Sequence, residues 1–167
     1  MLTAEQLIKQ YLMLPHPEGG WYRENYRSNE IFPATALPDR YGGNRVFSTA
    51  IYFLLEKGDC SAFHRIKSDE CWHFYAGAPM ELFVIHEDGS FDTIILGSDL
   101  EKSQVFQYVV PAGCWFASRP ENNGDFSFVG CTVAPGFDFA DFELADPDML
   151  SAEYPRYEKI IRSMIKV

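Results

Sequence analysis

Basic side chains are in short supply: 14 Lys and Arg stand against 24 Asp and Glu in 167 residues, a formal net charge of −10. No Lys/Arg-rich run interrupts that balance. The chain therefore has no electrostatic source of affinity for a phosphate backbone or an anionic bilayer, which excludes nucleic acid and membrane as expected partners. Long apolar runs are missing as well; nothing approaches the ~20 uncharged residues a spanning helix needs. Cysteine is limited to Cys60, Cys71, Cys114 and Cys131, widely spaced and without a C-x-x-C pair. That pattern suits a reduced, cytoplasmic compartment with buried structural thiols rather than a disulfide framework. The first residues carry neither a basic leader nor a long apolar segment, and no internal repeat or low-complexity tract occurs.

What is present is a wealth of aromatic side chains, suited to strands, to an aromatic-lined pocket or to a subunit interface. The length fits one domain: a helix and arm over 1–20, a β core, sandwich or barrel, over 21–145 and a helix over 146–167. At the start, Thr3 and Gln6 form a capping box, and Leu7, Ile8, Tyr11 and Leu12 share an apolar face. His16, between Pro15 and Pro17, and the Gly19-Gly20 pair break regular structure before a strand that begins near Trp21. Residues 29–44 read as a long surface loop, a lid or an arm. Short segments rich in β-branched and aromatic residues then place strands at 46–55, 60–66, 70–76, 80–87, 91–96, 104–110, 114–118, 126–133 and 139–144. Turns fall at Lys57-Gly58-Asp59, Glu87-Asp88-Gly89 and Asn123-Gly124-Asp125. Pro155 opens the closing helix, whose stripe is Ile160, Ile161, Met164 and Ile165. The expectation is an all-β protein, an antiparallel core flanked by short terminal α-helices.

Gly58, His64, Ile66, Glu70 and Gly77 have the spacing G-x5-H-x-I-x3-E-x6-G, and Pro111-Ala112-Gly113-Cys114-Trp115-Phe116 reads P-x-G-x-x-F. The first resembles the cupin motif G-x5-H-x-H-x3-E-x6-G, with Ile66 at the second His. The second resembles P-x-G-x-x-H, with Phe116 at the His. Further segments, among them His16-Pro17-Glu18-Gly19-Gly20, Asp69-Glu70-Cys71-Trp72-His73-Phe74 and Val133-Ala134-Pro135-Gly136-Phe137-Asp138-Phe139, resemble an uncharacterised cupin branch known only as a domain of unknown function. The resemblance implies a double-stranded β-helix, the cupin jelly-roll barrel, assembled as a homodimer.

Both departures fall on metal-ligand positions. Two donors, His64 and Glu70, leave a divalent ion under-coordinated, so no metal and no cofactor are expected. A His and a carboxylate near aromatic walls remain, the make-up of a small-molecule pocket. His64 is expected to act as general base or acid with Glu70 as its supporting carboxylate. Alternation puts Ile66 on the face of His64, and Trp72 on the face of Glu70. Ser48, Tyr52, Ile66, Trp72, Phe116 and His73 are the candidate ligand-binding residues, although His73, three from Glu70, should face the opposite side of a strand. Arg23, Glu24 and Arg27 form an anion site or a solvated edge, and His16 and His86 lie at the surface. The leading expectation is a barrel that binds a small polar or sugar-like metabolite; metal-free cupins of similar layout include sugar epimerases, so the resemblance implies metal-independent isomerisation or epimerisation as the reaction class if the bound molecule is transformed. The alternatives are a non-catalytic binding module, a metal-dependent dioxygenase or lyase, and a barrel filled solid by its own side chains.

Overall fold

The structure is a computed structural model that describes residues 2–121 and 124–165. The expected turn residue Asn123 and the last two residues of the expected closing helix lie outside the described residues.

Helix α1 (Ala4–Tyr11) starts with the capping box anticipated from Thr3 and Gln6, each side chain meeting the other residue's backbone N–H at 3.3 and 3.0 Å. Strands β1 (Leu14–Pro15), β2 (Trp21–Arg27), β3 (Ile31–Phe32), β4 (Arg45–Val46), β5 (Thr49–Glu56), β6 (Ser61–Arg65), β7 (Asp69–Gly77), β8 (Met80–Ile85), β9 (Phe91–Leu96), β10 (Gln107–Val110), β11 (Trp115–Pro120), β12 (Phe126–Ala134) and β13 (Glu143–Leu144) follow. They form two antiparallel sheets with orders β1-β2-β5-β12-β7-β10 and β13-β6-β11-β8-β9, plus the small β3-β4 ribbon. Neighbours such as β5 and β12 are far apart in sequence, as a jelly roll requires.

Three apolar clusters hold these layers. Between the sheets, Phe53, Leu55, Trp72, Met80, Leu82, Val84, Phe116 and Val129 pack one part of the barrel solid. Outside the six-stranded sheet, Leu7 and Met13 of the N-terminal segment cover Leu54, Phe126 and Phe128. Outside the five-stranded sheet, Phe63, Phe83, Ile85 and Trp115 meet Leu150, Ile161 and Met164. Of the expected terminal stripe, Ile161 and Met164 are buried and Ile165 is exposed.

Several segments depart from the sequence reading, among them the strand expected at 104–110, which begins only at Gln107. The strand expected at 139–144 shrinks to β13, because the Asp138 carboxylate accepts the Ala140 N–H and turns Phe139–Asp141 into a 3-10 helix. The single C-terminal helix is two: α2 (Pro147–Glu153), with Asp146 accepting the N–H groups of Asp148 and Met149, and α3 (Glu158–Ser163). Pro155 opens only a one-turn 3-10 helix between them. The loop 29–44 does not stand off as a lid. Arg40 donates to the Lys67 carbonyl at 2.7 Å and the Tyr41 hydroxyl meets Ser68 at 2.8 Å, so it is strapped onto the turn that joins β6 to β7.

Candidate functional site

The other part of the barrel is hollow. Its cavity, about 380 Å³, is lined by strand residues Tyr22, Thr49, Ile51, Phe53, His64, Glu70, Trp72 and Cys131, with Ile66 just after β6. His16 and Glu18 from the arm and Phe137, Phe139 and Phe142 after β12 complete the wall.

His64 lies on β6, buried and paired in register with Phe116 of β11, their rings 4.1 Å apart between centroids. Its Nδ1 donates to the Ala62 carbonyl at 2.8 Å, since a carbonyl only accepts. Its Nε2 meets Glu18 Oε2 at 3.0 Å. Glu18 reaches this point because Gly19 and Gly20 adopt φ of +123° and +69°, and any side chain at Gly19 would strike the Cys60 carbonyl. The arm then closes on β6: Ala62 N–H donates to the Glu18 carbonyl at 2.9 Å, and Ser61 Oγ donates to Glu18 Oε1 at 2.8 Å.

Burial works to raise the Glu18 pKa, but His64 and then His16, with the bonds from His64 and Ser61, outweigh it and hold the carboxyl below its ordinary value. Burial likewise works to lower that of His64, and the charge and hydrogen bond of Glu18 overcome it and raise the imidazole. The pair is therefore an imidazolium and a carboxylate. Glu70, at the start of β7 and 8% exposed, differs: burial pushes its pKa up to about 7, His64 pulling down and Glu18 adding to the rise. Cys131 on β12, in register with Trp72 and two residues from Val133, which faces Glu70, lends it a donor. The Trp72 indole N–H lies near this carboxyl, yet no partner satisfies it at hydrogen-bond geometry among the described residues. The Cys131 thiol, fully buried beside Glu70, is pushed well above its usual range and stays protonated.

Aromatic rings form the rest of the wall. Phe142 stands 5.4 Å from the His64 ring, and Phe137, Phe139 and Phe142 contact one another at 5.0 to 6.5 Å. Near them are Asp138 and a bidentate Arg27–Glu24 pair at 2.9 and 2.7 Å, whose guanidinium also donates to the Phe137 carbonyl at 3.3 Å. Of the charged edge expected at Arg23, Glu24 and Arg27, Glu24 and Arg27 thus border the cavity.

The structure gathers His64, Glu70, Ile66 and Trp72 around one space. Phe116 sits behind His64 as buried packing instead of facing the cavity. Tyr52 and Ser48 are corrections. On β5 the odd positions Thr49, Ile51 and Phe53 look inward, so Tyr52 points outward onto Tyr11 and Phe128, and Ser48 donates to the Val133 carbonyl at 3.0 Å. His73 also points outward, between Thr132 Oγ1 at 3.0 Å and the Gln107 amide at 2.7 Å, as alternation from Glu70 requires. Glu18 replaces Glu70 as the hydrogen-bonded partner of His64. His16, expected at the surface, is buried in the wall, its Nδ1 accepting the Glu18 N–H at 3.3 Å. The signal for both was the His-Pro-Glu-Gly-Gly segment, where two glycines announce a close backbone approach. Cys60 and Cys71, expected to be buried, are only half-buried.

The metal that many barrels of this kind carry does not fit here. Ile66 and Phe116 bring no donor atoms, and the ring nitrogen of His64 not bound to Ala62 is taken by Glu18. Among the described residues no group of three or more His, Cys, Asp or Glu side chains is arranged to hold an ion.

A jelly-roll barrel hollow at one part, with a His and a Glu from consecutive strands in the hollow, defines a cupin fold. Oxalate decarboxylase from Bacillus subtilis shares it at a TM-score of 0.54 and 13% identity, over 90% of this chain and 36% of that one. The chain belongs to the Cupin_5 family, described as Cupin superfamily (DUF985), whose model matches residues 5–145. It is 30% identical over 148 residues, 83% of this chain and 73% of the relative, to an uncharacterised protein of Saccharomyces cerevisiae. A crystal structure of a Shewanella oneidensis protein superposes with a TM-score of 0.89 at 38% identity, covering 99% of both chains. A hypothetical protein from Leishmania major does so with 0.90 at 35% identity, covering 99% of this chain and 100% of that one. No helix among the described residues is long and apolar enough to cross a membrane.

Proposed function

We propose that the cavity binds a small polar, sugar-like molecule and isomerises or epimerises it by proton transfer without a metal. The observation that carries this reading is the meeting of His64, Glu18 and Glu70 at the wall of an aromatic cavity of about 380 Å³. Glu70 is the base: with a pKa raised to about 7 it both takes and returns a proton near neutral pH. The proton leaves a carbon next to a carbonyl and moves to a Glu70 oxygen, while the electron pair of the C–H bond passes to the carbonyl oxygen as an enolate. The His64 imidazolium, kept charged by Glu18, stabilises that negative charge. Return of the proton to the same carbon after the enolate has turned its other face to Glu70 yields the epimer; return to the former carbonyl carbon, with the proton of the adjacent hydroxyl passing to the enolate oxygen, yields the isomer.

The test is incubation with a panel of aldoses, ketoses and amino sugars in D₂O, followed by NMR. Deuterium is expected beside the carbonyl of the substrate, and Glu70→Gln and His64→Asn are expected to abolish it while remaining folded. A second reading, a module that holds its ligand unchanged, is favoured by the fact that both His64 nitrogens are already bonded within the protein. Binding of a panel member without any deuterium uptake would establish that reading and reject catalysis.

A further inference from the structure

The charges around the cavity do not balance. Four carboxylates border it: Glu18, Glu24, Glu70 and Asp138. Two are matched, Glu18 by His64 at 3.0 Å and Glu24 by Arg27 at 2.7 Å. Glu70 feels His64 but forms no ion pair with it, and Asp138 accepts the Ala140 N–H and forms no ion pair among the described residues. Asp138 lies between Phe137 and Phe139 in a wall that Phe142, Tyr22 and Phe53 continue. Ring faces attract a cation and repel an anion, and a low-dielectric wall strengthens the preference. A second feature is independent of charge. The Trp72 indole N–H is buried in the same wall beside Glu70, with no partner at hydrogen-bond geometry among the described residues, a donor whose desolvation an oxygen on the ligand would offset.

From this arrangement, and resting on the reading of the cavity as a ligand site, we infer that the ligand is a small hydroxylated amine and that anionic molecules, sugar phosphates included, are rejected. Each part has its place. The ammonium group meets Asp138 or Glu70 and the ring faces, a hydroxyl oxygen accepts from Trp72, and the carbon skeleton covers the phenylalanines. A phosphate would bring two negative charges against carboxyl groups that lack an ion-pair partner, and the guanidiniums of Arg27 and Arg45, both near enough to act on Asp138, are already held by Glu24 and Asp141. The cavity volume of about 380 Å³ is small for a ligand site and suits a monosaccharide-sized molecule.

Matched skeletons test the charge alone. Calorimetry would compare glucosamine with glucose and glucose 6-phosphate, and serinol with glycerol and glycerol 3-phosphate. In a skeleton that binds, the amine is expected to bind at least about tenfold tighter than its neutral counterpart, a gap of ~1.4 kcal/mol, and the phosphate not measurably. Asp138→Asn and, separately, Glu70→Gln should shrink the amine-to-neutral ratio several-fold. Equal binding of amine and neutral compound, binding of a phosphate, or binding of neither amine overturns the inference. Deuterium exchange separates it from the function proposed above. Only the sugar series carries a carbonyl and can exchange: glucose or glucose 6-phosphate binding and exchanging sinks the amine alone, whereas glucosamine binding without exchanging sinks catalysis alone.

Discussion

At the scale of single residues, Glu70 is the most consequential side chain, because its environment makes protonation and folding compete. Its pKa rises from 4.5 to about 7 in the folded chain, so the native state holds its proton more tightly than the unfolded state does. For a raised carboxyl the contribution to stability falls as pH climbs from 4.5 towards about 7, and stays lost above that. The size is on the order of 3 kcal/mol, from about 1.4 per pKa unit. Glu70→Gln, which cannot ionise, is expected to remove that slope. Urea unfolding of parent and variant at acid and mildly alkaline pH should show the variant gaining on the parent as pH rises, and parallel curves would contradict the assignment. His64 and Glu70 were legible because their spacing is local and strand alternation is a strict geometric rule. Tyr52 was misjudged for the same reason: alternation gives two opposite choices, and β5 is apolar or aromatic on both faces, with Thr49, Ile51 and Phe53 on one and Tyr52 and Leu54 on the other. Glu18 was harder still, since its partner lies 46 positions on and only the folded arm brings them together.

At the scale of elements, the aromatic wall is fixed by a contact hidden behind it. Asp141 stands in the 3-10 helix beside Phe139 and one residue before Phe142, and it is gripped by Arg45 through two hydrogen bonds of 2.6 Å, both side chains being buried. Arg45→Met leaves that carboxylate buried with only Lys67 at 3.7 Å, and is expected to cost about 3–5 kcal/mol in urea unfolding. The double change Arg45→Met with Asp141→Leu should recover most of the loss. If the single variant unfolds like the parent, the pair contributes nothing. The sequence could not announce this tether, because a lone Arg and a lone Asp 96 positions apart carry no local signature. Helix α2 is the opposite case. Asp146-Pro147 is an adequate start signal, but the eye is drawn to the later Pro155, whose flanking stripe is more regular.

At the scale of the whole molecule, the barrel divides into a solid part and a hollow part. The strand pattern revealed the barrel, but alternation specifies which side chains point inward and not whether they meet. On the outside of the six-stranded sheet, Tyr75 and Val109 are about half exposed beside the edge strand β10. We propose that a second copy covers this face, since an apolar sheet edge left in water invites pairing. Light scattering coupled to size exclusion should give a dimer for the parent and a monomer for the double variant Tyr75→Glu, Val109→Lys. A monomeric parent at tens of micromolar would rule the arrangement out.

The arm that delivers Glu18 stands apart from the strands that carry the other two groups of the centre. His64 and Glu70 stand on strands of different sheets, β6 held by β11 and β13 and β7 by β12 and β10, and none of these partners belongs to the arm, which supplies the imidazole with its main counter-charge. A change that frees only Glu18 from Ser61 would strip His64 of its counter-charge, whereas release of the whole arm would also uncover Leu54, Phe126 and Phe128.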